Sequence, residues 1–188
     1  METPISVILH SGCEDQLEAS LAAAKSGDSR GFEAILDRFQ GQVFNLACWV
    51  LGDPGEAEDV CQEVFLKFLK HMRGLSVQKN LQGWFSKVTL NLARNRLRSR
   101  RRRTALDDHH ADGLTITQNT HFEAENWLNT YLPTLTFKER AALVLVHIFG
   151  FSTKEASVSL GCRQGTVKAL CHRARTKLIQ HSRKGDHR

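Results

Sequence analysis

Long apolar runs are missing from this chain, and with them any candidate for a membrane span. The N-terminus lacks the basic-then-apolar pattern of a signal peptide, so the reading is a cytoplasmic protein with no insertion into a membrane. Cysteine occurs five times, an odd number, and never with C-x-x-C spacing. Cys48 and Cys61 fall inside apolar helical patterns, which suits small buried side chains in a reducing compartment. His10 with Cys13, and Cys171 with His172, are fragments of a ligand set without the four-ligand spacing that zinc prefers. Asp107, Asp108, His109, His110 and Asp112 have ligand chemistry but sit in a polar tract with nothing apolar to fix their geometry. Neither a metal nor a cofactor is expected, and no catalytic constellation.

What is present is positive charge in one place. The 188 residues carry a net charge of +6, and seven arginines lie between 94 and 103; without them the balance is 6 − 7 = −1. A local positive field of this kind suits a phosphate-binding stripe. The length allows one medium domain or two small ones.

Residues 150–178 read as two short helices joined at Gly161. Ser152 and Glu155 make a capping box, and Gly161 follows Leu160 where a helix end needs a left-handed residue. In the second helix Val167, Leu170, Ala174 and Leu178 form an apolar stripe. Gln164, Lys168, His172 and Arg175 share another face that has long donors and no carboxylate. A short helix, a tight turn and such a second helix describe a helix-turn-helix, whose second helix enters a DNA major groove. An ordinary helical hairpin with a solvated basic face is the plainer alternative.

Upstream, residues 14–25 are a good helix former, and the stripes Phe32/Ile35/Leu36/Phe39 and Val43/Leu46/Ala47/Val50 predict a long helix or two with a bend near Gly41. Gly52 ends it; Asp53, Pro54 and Glu56 start the next with a capping box. That helix buries Val60, Val64, Phe68 and Met72, and presents Asp59, Gln62, Glu63 and Leu66 on another face. After a loop to Asn80, a further helix turns Leu81, Phe85, Val88 and Leu92 inward and Lys87, Asn91, Arg94, Asn95 and Arg98 outward. Arginine contacts phosphate; Asn80, Gln82 and Trp84 bring amides and a ring suited to an unpaired base. None of these outward positions is acidic, whereas solvated faces mix both signs. Residues 104–121 read as a flexible linker. Beyond it come the stripe Ala124/Trp127/Leu128/Tyr131, a capping box at Thr136 and Glu139, and the stripe Ala142/Leu145/Val146/Phe149. The tail from Ser182 is polar and expected to fray.

Two blocks resemble a known family. Glu58-Asp59-Val60-Cys61-Gln62-Glu63-Val64-Phe65 resembles the E-D-x-x-Q-E-x-F segment of bacterial sigma factors. The run from Trp84 through Asn91 and Asn95 to Arg98 is similar to the same domain's promoter-melting helix. Residues 132–178 resemble the sigma C-terminal domain, through Leu132-Pro133, Arg140, Leu160-Gly161, Gly165-Thr166-Val167-Lys168 and His172-Arg173-Ala174-Arg175. The two blocks with only a short linker between them resemble the extracytoplasmic-function (ECF) class.

The resemblance implies an all-α fold of two small helical domains joined by a flexible linker, the C-terminal one a four-helix domain with a helix-turn-helix. Residues 14–103 would be sigma domain 2, residues 104–121 the linker and residues 122–182 sigma domain 4. It implies a promoter-specificity subunit, not an enzyme, whose partners are RNA polymerase core, promoter DNA and an anti-sigma factor. Polymerase binding would fall to Asp59, Gln62, Glu63 and Phe65. Capture of the minus-ten strand would fall to Asn80, Gln82, Trp84, Lys87, Asn91, Arg94 and Arg98. The minus-thirty-five element would be read by Gln164, Thr166, Lys168, His172 and Arg173, with Arg175 near phosphate. The sequence departs from the family pattern at Arg163, where a capping Ser is frequent, at Asn95 in place of an Asp, and at Ala156, Val158 and Ser159 in the first helix of the helix-turn-helix.

Overall fold

Helix boundaries in this chain are set by local chemistry that can be followed residue by residue. The computed structural model describes residues 12–76, 81–104 and 132–185. The N-terminal tail, Asn80, the tract 105–121 and the stripe from Ala124 to Tyr131 lie outside the described residues. Among the described residues no strand occurs. In chain order there are α1 (Gly12–Ser26), α2 (Ser29–Leu51), α3 (Pro54–His71), a 3₁₀ turn (Met72–Gly74) and α4 (Leu81–Thr104). A second group follows: a 3₁₀ turn (Leu132–Thr134), α5 (Phe137–Leu143) running into a π turn (Val144–Ile148), α6 (Thr153–Leu160) and α7 (Gln164–Gly185).

Gly52 stops α2 at φ 72°, and its N–H donates to the Cys48 carbonyl at 2.8 Å. Asp53 Oδ1 then accepts from the Glu56 N–H at 3.0 Å to open α3. The capping box expected here is only half formed, because Glu56 Oε2 is buried without a hydrogen-bond partner. The boxes at Thr136/Glu139 and Ser152/Glu155 are complete. Gly161 ends α6 at φ 63°, a left-handed conformation that a side chain would strain. Of the two readings offered for the stretch around Gly41, one continuous helix forms. Instead of fraying at Ser182, α7 remains helical to Gly185.

α2 is the centre of the first group, packed on α1, α3 and α4. Ile35, Phe39, Val43, Leu46 and Val50 are its buried stripe. Gly31 marks where α1 comes closest: a Cβ there would stand 2.6 Å from the Ser20 carbonyl oxygen and 2.7 Å from Ala23 Cβ. Phe85 is the hub of an aromatic cluster, with ring centroids 4.6 Å from Phe39, 5.4 Å from Phe65, 5.3 Å from Phe68 and 5.2 Å from Trp84. Such pairs add about 0.5–1.5 kcal/mol each beyond their area burial. The cluster fixes α4 against α2 and α3, and so fixes the direction of its arginines.

The two helical groups also touch. α6 lies against α4 and α5 against α2, and one continuous cluster of buried side chains runs through both groups. α4 buries Ser86, Thr89, Leu90 and Ala93 as well as Leu81, Phe85 and Leu92 of its expected inward stripe, and Ser86 accepts from Gln42 of α2 at 3.0 Å. At the contact, the buried Arg140 donates from Nη1 to the Val50 carbonyl at 3.0 Å and from Nη2 to the Leu135 carbonyl at 3.4 Å. Val50 is in the last turn of α2, a turn with no basic residue of its own, so Arg140 serves its negative end. Burial first, then the Arg101 charge, pulls the guanidinium down to about 10, which leaves it charged at neutral pH.

Candidate nucleic-acid interface

Three helix faces carry the residues singled out by sequence. On α3, Asp59 and Gln62 are exposed and Glu63 is half-buried. Phe65 is not on that surface: it is 6% exposed and packs against Phe85. Its i, i+2 spacing from Glu63 turns it to the opposite side of the helix, where the stripe of Val64 and Phe68 is buried. Leu66 and Leu69 are exposed beside the acids, at 57% and 42%. The acids are already engaged within the fold. Arg96 reaches Asp59 at 3.1 Å and Glu63 at 3.9 Å, and Lys67 reaches Glu63 at 3.6 Å. Exposed pairs of this kind contribute about 0–1 kcal/mol each, so a partner can displace them.

On α4, Gln82, Lys87, Asn91, Arg94, Asn95 and Arg98 are all exposed, and no acid interrupts them. Trp84 is half-buried, edge-on to Phe85 and Phe68, so most of its ring serves the aromatic cluster. Arg94 is exposed and also lies over the Phe137 ring, 5.2 Å from its centroid. The arginine run therefore splits: Arg94 and Arg98 share the outward face, while Arg96 turns back to α3. The sequence counts all seven arginines in one positive stripe but leaves Arg96 off the outward face by helical phase, about 200° from its neighbours two positions away; its partner Asp59 on α3 is what only the structure supplies.

In the second group, Val167, Leu170, Cys171, Ala174 and Leu178 bury one side of α7. Gln164, Thr166, Lys168, His172, Arg173 and Arg175 are exposed on the remainder. Two of them have protein partners. Arg173 Nε stands 3.9 Å from Glu139 Oε1, and Arg175 Nη2 donates to the His147 ring at 3.0 Å. Burial first, then the Arg175 charge, holds His147 below the usual imidazole range, so at neutral pH the ring is a neutral acceptor. Glu139 is nearly buried and bonded to Lys177 at 2.8 Å and to Thr136. Burial pushes its carboxyl up, but the Lys177 and Thr136 bonds together hold it below the ordinary glutamate value. Arg163, preceding α7, offers only its backbone carbonyl, which accepts from Thr166 and Val167; its side chain is exposed beside Gln164.

Chemically these faces offer hydrogen-bond donors, acceptors and charge. No group of three His, Cys, Asp or Glu able to hold a metal occurs among the described residues. Desolvation raises the Cys48 thiol to about 11 and raises those of Cys61 and Cys171, all far from thiolate formation at neutral pH. No helix among the described residues is long and apolar enough to cross a membrane.

Comparison with known proteins adds an independent finding. Residues 35–103 match the Sigma-70 region 2 family and residues 125–178 the Sigma-70, region 4 family. The ECF RNA polymerase sigma factor SigC of Mycobacterium tuberculosis is 28% identical over 179 residues, covering 92% of this chain and 95% of that protein. The ECF RNA polymerase sigma factor EcfG of Rhodopseudomonas palustris is 35% identical over 130 residues, covering 68% and 71%. In fold, the chain is similar to the sigma factor RpoE of Bartonella quintana, solved in complex with the anti-sigma factor NepR. The TM-score is 0.69 at 23% identity, over 79% of this chain and 94% of that one.

Proposed function

The chain belongs to the sigma-70 family of RNA polymerase sigma factors, in the ECF class, and on that premise we propose how its faces divide the work. The exposed acids and amide of α3, Asp59, Gln62 and Glu63, dock on RNA polymerase core, with Leu66 and Leu69 as apolar neighbours. Phe65 supports that surface from inside the core. The face of α4, with Gln82, Lys87, Asn91, Arg94 and Arg98, together with Asn80, captures the displaced strand of the minus-ten element. Trp84 offers an edge there and chiefly anchors the start of α4. α7 enters the major groove of the minus-thirty-five element through Gln164, Thr166, Lys168, His172 and Arg173, with Arg175 toward phosphate. In this reading domain 2 spans 14–103, a linker 104–121 and domain 4 122–182.

The chain supplies positioning and strand capture while the polymerase supplies the chemistry, so it is not itself an enzyme. Its place is the cytoplasm, where its DNA and polymerase are. An anti-sigma partner is part of the reading, supported by the RpoE likeness, since that protein was solved bound to one.

One observation carries the proposal. Each of the two family-matched segments presents an acid-free helix face of arginine, lysine and amide side chains, held in place by its own buried stripe. The test is run-off transcription by purified core polymerase on a promoter library, with and without the chain. Promoter-directed transcripts should appear only with it; core that never gains promoter-specific starts would refute the reading.

A further inference from the structure

Gln164, Lys168, His172 and Arg175 share one face of α7, and at the far end of that face a side chain joins them from another element. The π turn Val144–Ile148 presents His147 exposed beside α7. Arg175 Nη2 stands 3.0 Å from its Nε2 and 3.3 Å from its Nδ1. The contact therefore suits either tautomer of the neutral ring and opposes the doubly protonated one. Two basic side chains thus lie together, and among the described residues neither has a carboxylate partner. The acids of the elements around the π turn are taken: Glu139 of α5 by Thr136, Arg173 and Lys177, and Glu155 of α6 by Ser152. Of the bases there, Arg140 turns to the Val50 carbonyl, while Lys138 and Lys154 are exposed. α2 has no charged residue between Val43 and Leu51. Burial first, and then the charge of Arg175, keep the His147 ring neutral in the free chain.

Length decides what this end of the face can touch. Arg175 lies 175 − 164 = 11 residues beyond Gln164. That is about 16 Å at about 1.5 Å per residue, against a major groove about 12 Å wide. With the start of α7 among the bases, Arg175 and His147 come to the rim of the groove, where the phosphates run. We propose that His147 and Arg175 together form a phosphate clamp, in which one backbone phosphate of duplex DNA is held by both guanidinium and imidazole and His147 takes up a proton from solvent as it binds. The inference deepens the assignment of α7 to the minus-thirty-five element and rests on it. The phosphate reverses the field at the ring, because an anion beside an imidazole favours its charged form and offsets the repulsion from Arg175. The ring is neutral in the free chain and charged in the complex, so binding gains a proton. Linkage fixes the sign: affinity rises as pH falls through the imidazole value in the complex, and stops rising below the value in the free chain. A phosphate contact carries no base information, so the clamp acts on any duplex sequence.

The probe is duplex DNA of mixed sequence, added to the full chain at low salt. Nuclear magnetic resonance follows the imidazole C–H signal of His147, assigned by its loss in His147→Gln. In the free chain this signal should titrate below the ordinary imidazole value of about 6.5, and Arg175→Gln should raise its midpoint. With duplex bound to the parent chain, the midpoint should move above that value. Between about pH 7.5 and about pH 6, affinity for the duplex should rise at least about twofold more for the parent than for His147→Gln. His172 and the other histidines titrate in both chains, so the difference belongs to His147. Both substitutions fall at exposed positions, and circular dichroism checks that the helices remain. Duplex that binds the parent while the His147 midpoint stays in place overturns the clamp and leaves the α7 assignment standing. So does a His147→Gln chain that matches the parent at every pH. A parent chain that binds no duplex at low salt refutes the assignment of α7 itself, and the clamp with it.

Discussion

Glu63 shows how a single residue can serve two masters. Within the fold it lies between Lys67 and Arg96, and in the proposed function it faces polymerase. Glu63→Lys would put three cations together, at a stability cost of under about 1 kcal/mol because all three are solvated. Its effect on docking should be far larger, since it reverses charge at the centre of the contact. Core polymerase association, followed by co-elution, is expected to disappear while binding of the full chain to duplex DNA at low salt persists. Retained co-elution would move the docking surface elsewhere. Cys48 illustrates the opposite case, a residue whose reactivity the fold suppresses. Its thiol is raised to about 11 by burial first and then by nearby acids and Cys61. The unfolded chain ionises near the ordinary thiol value, so the contribution of Cys48 to stability is complete below about pH 8.5. It is lost as pH rises toward 11. Alkylation of Cys48 by iodoacetamide, followed by mass spectrometry, should keep accelerating up to that pH. A plateau near pH 9 would contradict its burial.

At the scale of helices, α1 and α2 meet closely at Gly31. Gly31 has no room for a methyl group, because the obstruction includes α1 backbone that cannot rotate away. Gly31→Ala should therefore cost about 1–3 kcal/mol, the range for overpacking, despite Ala being the better helix former. Urea denaturation gives the cost, and hydrogen exchange should show α1 losing protection first. An unchanged midpoint would mean that α1 is not held there. The sequence carried the helix starts, stops and stripes plainly: Asp53, Ser152, Thr136 and Gly161 act through neighbours three or four residues away, and Val167 to Leu178 through a fixed period. It did not carry what depends on a partner far along the chain. Phe65 is buried because Phe85 packs beside it, Arg96 turns inward because Asp59 is across from it, and Arg140 is buried because the end of α2 covers it. The same limit explains α4. Leu90 and Ala93 are buried beyond the expected stripe of a helix that packs on both groups, and such packing on several sides cannot be read from one period along the chain. The family resemblance supplied the roles of the faces; the structure supplied which members of each face are free to play them.

For the whole molecule, the distribution of arginine decides how binding responds to salt. Neutralising phosphates releases counterions, so the logarithm of affinity falls linearly with the logarithm of salt concentration. Each phosphate contact adds roughly 0.9 to the slope on duplex DNA and roughly 0.7 on a single strand. Arg98 and Lys168 stand exposed on the two proposed reading faces, one meeting an opened strand and one a duplex. Arg98→Ala and Lys168→Ala should each lower the slope for promoter binding by the polymerase complex, by roughly 0.7 and 0.9 respectively. Arg96→Ala is the decisive contrast. It removes the same charge from the same helix, two residues away, but that guanidinium is turned toward α3, 3.1 Å from Asp59, and off the outward face. Net charge alone would predict that Arg96 and Arg98 count equally. Geometry predicts that losing Arg96 leaves the slope within error of the parent chain, and that the small cost appears in stability. The measurement is a salt titration of promoter complexes formed with the parent chain and the three variants. Equal slope changes for Arg96→Ala and Arg98→Ala would mean that the helix acts as an undirected positive rod, and that its outward face has no special claim on DNA.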